Sequence, residues 1–126
     1  MFSQEVVTQL SKGLKQLLEN CDSVNAALIA TVDGHMVTME QRGNYELERL
    51  ATMGCSIMSL GDTITSELKM GNCNNIISEN ELGIVIFMHI NDDVVLVSLT
   101  TQKNALGMLL TYSKKCAQDL KTLVNQ

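Results

Sequence analysis

The sequence predicts an α+β fold, a three-layer α/β/α sandwich around a five-stranded antiparallel sheet, with the element order α-β-β-α-β-β-β-α. Three observations carry this. Turn signals at Asp33-Gly34, Asn80 to Gly83 and Asn91-Asp92 join consecutive strand patterns closely, as antiparallel pairing requires. The runs "IVIFMHI" and "VVLVSL" are apolar at nearly every position, so both faces of those strands need cover. Three stretches with apolar residues at helical spacing supply that cover.

Residues 3–19 read as the first helix. Ser3 can cap it, and Val6, Val7, Leu10, Leu14, Leu17 and Leu18 form its apolar stripe. The segment "SVNAALIATVDGHMVTMEQ" reads as a hairpin, with Asp33-Gly34 as a two-residue type I′ turn. Its first strand is apolar at most positions and predicted to be buried on both faces. Its second, Met36 to Gln41, ends polar and reads as an edge. A long helix follows, with Asn44 as the predicted N-cap, Glu46 and Glu48 favourable in its first turn, and Gly71 as its stop. Strands are predicted over about 73–79, 83–90 and 94–100. The last helix is predicted over about 104–123, with Ala105, Leu109, Tyr112, Cys116, Leu120 and Leu123 as its stripe.

A length of 126 residues fits one domain, and no linker, repeat or low-complexity tract divides 1–126. The net charge of −5 and two Phe, two Tyr and no Trp argue against nucleic-acid binding, which needs basic grooves and stacking platforms. An acidic chain is not steered to anionic membranes, and "GIVIFMHI" is too short to span a bilayer. The N-terminal segment lacks the apolar block of a signal peptide, so the expected location is the cytoplasm. Cys21, Cys55, Cys73 and Cys116 are far apart and read as reduced, buried hydrophobes; no metal or other cofactor is expected.

Few residues invite chemistry. His35 reads as a solvated turn residue, and His89 as a satisfied buried or partner-facing histidine with no acid or nucleophile readable beside it. Cys55 lies in a helix interior, which lends a thiolate no stabilisation. Asp33 and the Asp92-Asp93 pair are explained by turn formation. There is no G-x-x-x-x-G-K-[ST] loop, so the chain is not itself a P-loop GTPase. Arg42 and Arg49 are the only arginines, and both read as surface charges rather than an arginine finger. The reading is of a protein that is not an enzyme.

The hairpin "AALIATVDGHMV", the helix "LATMGCSIMSLGDTITSELKMG", the hairpin "GIVIFMHINDDVVLVSLT" and "NALGMLLTYSKKCAQDL" together resemble the roadblock/dynein light-chain family. The long helix and the Asn104-Leu106-Gly107 entry to the last one look most like the bacterial members, including the mutual gliding-motility protein B type. The resemblance implies a strand order of 2-1-5-4-3, with the long helix on one face and both terminal helices on the other. It implies a homodimer built through the third strand and the long helix. The paired long helices would then form a platform for a small Ras-like GTPase, as a GTPase-activating protein or as a scaffold. A dimeric scaffold in a signalling or motility complex, with no GTPase, is the alternative.

The long helix has its own pattern. Gly54 and Gly61 stand near the centre of the apolar sector, and each costs about 1 kcal/mol relative to alanine. Close approach of the helix backbone to bulky sheet residues, or to a second helix across a dimer, would compensate. Met53 and Leu60 flank this sector on one side, Ala51 and Met58 on the other. The opposite face carries Thr52, Ser56, Ser59, Thr63 and Ser66, small hydroxyl residues that desolvate cheaply and form the expected partner surface. The strand "CNNIISEN" lacks the lysine or proline that guards an exposed edge. Following the resemblance, Asn75, Ile76, Ile77 and Ser78, with Met53, Met58 and Leu60, are the expected dimer interface.

Overall fold

The computed structural model describes residues 2–125. The chain runs α1 (Gln4–Asn20), β1 (Ala26–Thr31), β2 (Met36–Gln41), α2 (Leu47–Glu67), β3 (Asn75–Asn80), β4 (Gly83–Asn91), β5 (Val94–Thr100) and α3 (Leu106–Val124). The five strands form one antiparallel sheet in the order β2-β1-β5-β4-β3. This is the predicted class, element order and strand order.

Strand alternation divides the core into two layers. Ile29, Ile86 and Leu96 point to one face and meet Leu10 and Leu14 of α1 and Leu109 and Leu120 of α3. Their neighbours Leu28, Phe87, Val95 and Val97 point to the other and meet Leu47, Ala51 and Met58 of α2. Every residue of β1 is buried and every residue of β2 is half-buried, as expected of a central strand and an edge. One polar pair enters the first layer: the hydroxyls of Ser98 and Ser113 lie 2.7 Å apart, and both residues are fully buried. Ser113 belongs to the buried side of α3, whereas Tyr112 and Leu123 of the predicted stripe are only partly covered.

Helix ends follow local chemistry. Ser3 caps α1 by accepting from the Val6 N–H at 3.2 Å. The C-terminus of α1 has no basic residue of its own. Arg42 reaches across to it instead, donating to the carbonyls of Leu18, Asp22 and Val24. A guanidinium there satisfies orphan carbonyls and complements the negative end of the helix dipole. Arg42 is thus a structural clamp rather than a simple surface charge.

Two turns differ from expectation. The β1–β2 turn is a three-residue loop, Val32–Asp33–Gly34, and not type I′. Thr31 N–H donates to His35 C=O and Gly34 N–H to Thr31 C=O, both at 2.9 Å. Only Gly34 takes a positive φ, of 95°. This is a type I turn closed by a left-handed glycine. Asn44 does not cap α2, which starts at Leu47 without a side-chain cap. The Gln41 side chain brackets Tyr45 instead, accepting from its N–H at 2.8 Å and donating to its C=O at 3.4 Å. α2 also ends before Gly71. Lys69 adopts φ 56°, Met70 N–H donates to Thr65 C=O, and Lys69 N–H donates to Ser66 C=O. That is a Schellman closure with lysine where glycine is usual.

Candidate partner interface

α2 presents three sides. Leu47, Ala51, Gly54, Cys55, Met58 and Gly61 are buried against the sheet. A β-carbon at Gly54 would lie 3.1 Å from Val97 Cγ2 and 3.2 Å from Phe87 Cδ1. At Gly61 it would lie 2.7 Å from Ile76 Cδ1 and 2.9 Å from Cys73 Sγ. Ordinary contact for a β-carbon begins near 3.4 Å, so both glycines mark close approach of helix to sheet. Within the protomer, the contact that compensates each glycine is made with the sheet.

Met58 is 1% exposed and belongs to this buried side. Its expected place at the dimer interface is therefore corrected: the α2 turns bring it under the helix with Ala51. The other flank is the open one. Met53, Leu60, Ile64 and Leu68 are each at least half exposed, and Met70 follows at 70%. Gly54 meets Phe87 of β4, whereas the Cys55 thiol, at the other margin of the buried side, donates to Thr31 C=O of β1 at 2.7 Å. The flank adjoining the glycines therefore faces the β3 side of the sheet. β3 is the terminal strand there, and Asn75, Ile76, Ile77 and Ser78 are half-buried. Among the described residues, no strand pairs with its outer side.

The third side is the hydroxyl stripe. Thr52, Ser56, Ser59, Thr63 and Ser66 are all exposed. Ser56 Oγ donates to Thr52 C=O at 3.2 Å and Thr63 Oγ1 to Ser59 C=O at 3.1 Å. These protons are spent on the helix's own carbonyls, so covering them strands no donor. The stripe borders a recess of about 370 Å³ whose far wall is Val32, Asp33 and Gly34 of the β1–β2 turn. The Thr31 hydroxyl bonds the Asp33 carboxylate and holds its pKa below the ordinary value, against a weaker opposing effect of burial. The turn's place beside the stripe is a tertiary fact with no local sequence signal.

All four cysteines are buried and free. Burial pushes the Cys55 and Cys73 thiols up and Cys116 up to about 12. His35 is exposed, 3.7 Å from Asp33. His89 does have an acid beside it: its Nε2 lies 3.1 Å and 3.3 Å from the two carboxylate oxygens of Asp62. Helix and strand bring these residues together across 27 positions, so no sequence spacing reveals the pair. His89 Nδ1 is buried without a partner, and among the described residues no hydroxyl or thiol is hydrogen-bonded to the ring. The contact ties α2 to β4. Among the described residues, no three His, Cys, Asp or Glu side chains cluster to hold a metal ion, and no helix is long and apolar enough to cross a membrane.

No family model and no curated protein matches the sequence. The architecture does match solved structures. Myxococcus xanthus MglB superposes with a TM-score of 0.89 at 15% identity, covering 99% of this chain and 93% of that one. An MglB in a tetrameric arrangement gives 0.86 at 15% identity, over 98% and 92%. A roadblock/LC7 domain from Streptomyces avermitilis gives 0.83 at 11% identity, over 92% and 98%. The chain therefore has the roadblock fold. Its likeness to MglB extends over nearly the whole length of both chains.

Proposed function

We propose that this chain is a non-enzymatic, homodimeric interaction module whose paired α2 helices bind a small Ras-like GTPase and modulate its nucleotide cycle. The observation that carries the reading is the division of the exposed surface of α2. An apolar flank (Met53, Leu60, Ile64, Leu68) adjoins the unpaired β3 edge, and a hydroxyl stripe (Thr52, Ser56, Ser59, Thr63, Ser66) lies beside it. Large apolar side chains exposed together in a row call for a partner. A two-fold axis beside β3 would cover them with a second copy and extend the sheet across the pair. Ile76, Ile77 and their neighbours in β3 would join that interface. The two hydroxyl stripes would then share one face and form the platform.

The GTPase is the partner that the resemblance to the roadblock family implies. Arg42 is engaged at the end of α1, and Arg49, exposed on the first turn of α2, is read as a surface charge, so any acceleration of hydrolysis would come from positioning the GTPase's own switch residues. A scaffold role in a signalling or motility complex uses the same dimer without a GTPase. The two are separated by affinity capture from native lysate with and without a non-hydrolysable GTP analogue. A P-loop protein retained in a nucleotide-dependent way supports the first reading. Ser59→Arg would then place an unpaired charge in the platform and weaken that complex by at least tenfold, since such a charge costs several kcal/mol. Unchanged affinity for both Ser59→Arg and Ser56→Arg, with the dimer intact, would move the platform elsewhere.

A further inference from the structure

The sheet has a second open edge, far from β3. β2 is terminal, and among the described residues no strand pairs with its outer side. Arg42 N–H donates to Asn25 C=O at 2.8 Å, which fixes the alternation along β2. Thr38 and Glu40, paired with Ile29 and Ala27, turn their main-chain groups towards β1. Met39 and Gln41 turn theirs outward. The strand has no lysine or proline, and its one charge, Glu40, is held sideways by the Ser11 hydroxyl at 3.0 Å. Lysine and proline guards are thus missing along Thr38 to Gln41, and the bulge that leaves Val37 unpaired stops short of this stretch.

A cavity of about 300 Å³ lies on the α2 side of this edge. Met36, Met39, Tyr45 and Leu47 form its apolar lining, and Glu46, Glu48 and Arg49 stand exposed at its rim. The geometry points to β-augmentation: we propose that the β2 edge receives an extended segment of a partner protein, apolar at alternate positions and carrying a basic residue. A residue opposite Met39 exchanges two main-chain hydrogen bonds with it. Its side chain then falls on the same face as Met39, against the cavity. Two adaptable methionines suit a variable apolar side chain, and at the rim two carboxylates against one guanidinium leave a net negative charge that favours the basic one. This site uses the first turn of α2 but none of the hydroxyl-stripe residues of the proposed platform.

The probe is a capped peptide of alternating valine and threonine with lysine at each end. The control is a peptide of the same length with proline at alternate positions, which cannot pair. Amide exchange followed by NMR is the readout. The expected result is fast exchange at Met39 and Gln41 in the free protein and at least tenfold slower exchange with the probe alone. Met39→Asp is expected to weaken probe binding tenfold and Glu48→Lys several-fold. Glu48 is exposed, so its variant stays informative if Met39→Asp unfolds. Three results overturn the proposal. One is unchanged exchange at millimolar probe. Another is protection confined to β3. The third is protection of Met39 and Gln41 in the free protein that rises with its concentration, which would assign the edge to a second copy.

Discussion

At Gly54 and Gly61 the cost of a flexible backbone in a helix is set against the space a methyl would need. Alanine would gain about 1 kcal/mol in propensity, and overpacking typically costs about 1–3 kcal/mol. The neighbours of Gly54 are the Phe87 ring and Val97, both buried in the core. Those of Gly61 are a terminal methyl of half-buried Ile76 and a sulfur, which can rotate away. Gly54→Ala is therefore expected to lower the urea midpoint by the equivalent of about 1 kcal/mol. Gly61→Ala is expected to lower it less. Raised midpoints for both would refute close approach. Cys116 supplies a pH test. Its pKa is raised from 9.0 to about 12, chiefly by burial. Between those values the folded state holds a proton that the unfolded state has lost, so stability falls as pH rises. Urea midpoints at pH 8 and 10.5 should drop less for Cys116→Ala than for wild type. An equal drop would show that this thiol does not carry the effect. The small residues of α2 were legible in the sequence as a pattern. The Arg42 clamp and the Asp62–His89 contact were not, because each joins residues on different elements.

Among the elements, β3 and α2 would carry the proposed dimer. Among the described residues no strand pairs with the outer side of β3, which has no lysine or proline, so Ile77→Pro is expected to remove ladder bonding and yield a monomer or an unfolded chain. Ser78→Pro places the same test one position along, where the main-chain groups face the other way. Sedimentation and circular dichroism distinguish the outcomes. Folded dimers from both variants would mean that β3 is not the seam. The elements themselves were readable because their patterns are strong: the mostly apolar β1 and β5, the Leu stripe of α1, the alternating end of β2. Their ends were less so. Asn44 and Gly71 are good capping residues by type, yet the Gln41–Tyr45 bracket and the Lys69 closure decide where α2 stops at each end. The type I′ expectation failed because Asp33 bonds Thr31 in a three-residue loop, leaving one left-handed position where two were expected.

For the whole molecule, the element order was evident from residues, and the strand order came with the resemblance of several local motifs in sequence. The flank of α2 that stays open was not evident: Met53 with Leu60, and Ala51 with Met58, have equal standing on a helical wheel. The sheet beneath decides it, because α2 lies so that Ala51 and Met58 fall inside while Met53 and Leu60 face out. The account rests on that open flank being covered by a second copy. Sedimentation velocity of the wild type and Leu60→Asp at tens of micromolar tests it most directly. The expected result is a wild-type dimer and a Leu60→Asp monomer with an unchanged circular dichroism spectrum, since Leu60 is 59% exposed and outside the core. A wild-type monomer at that concentration, or a Leu60→Asp dimer as tight as wild type, would contradict the account.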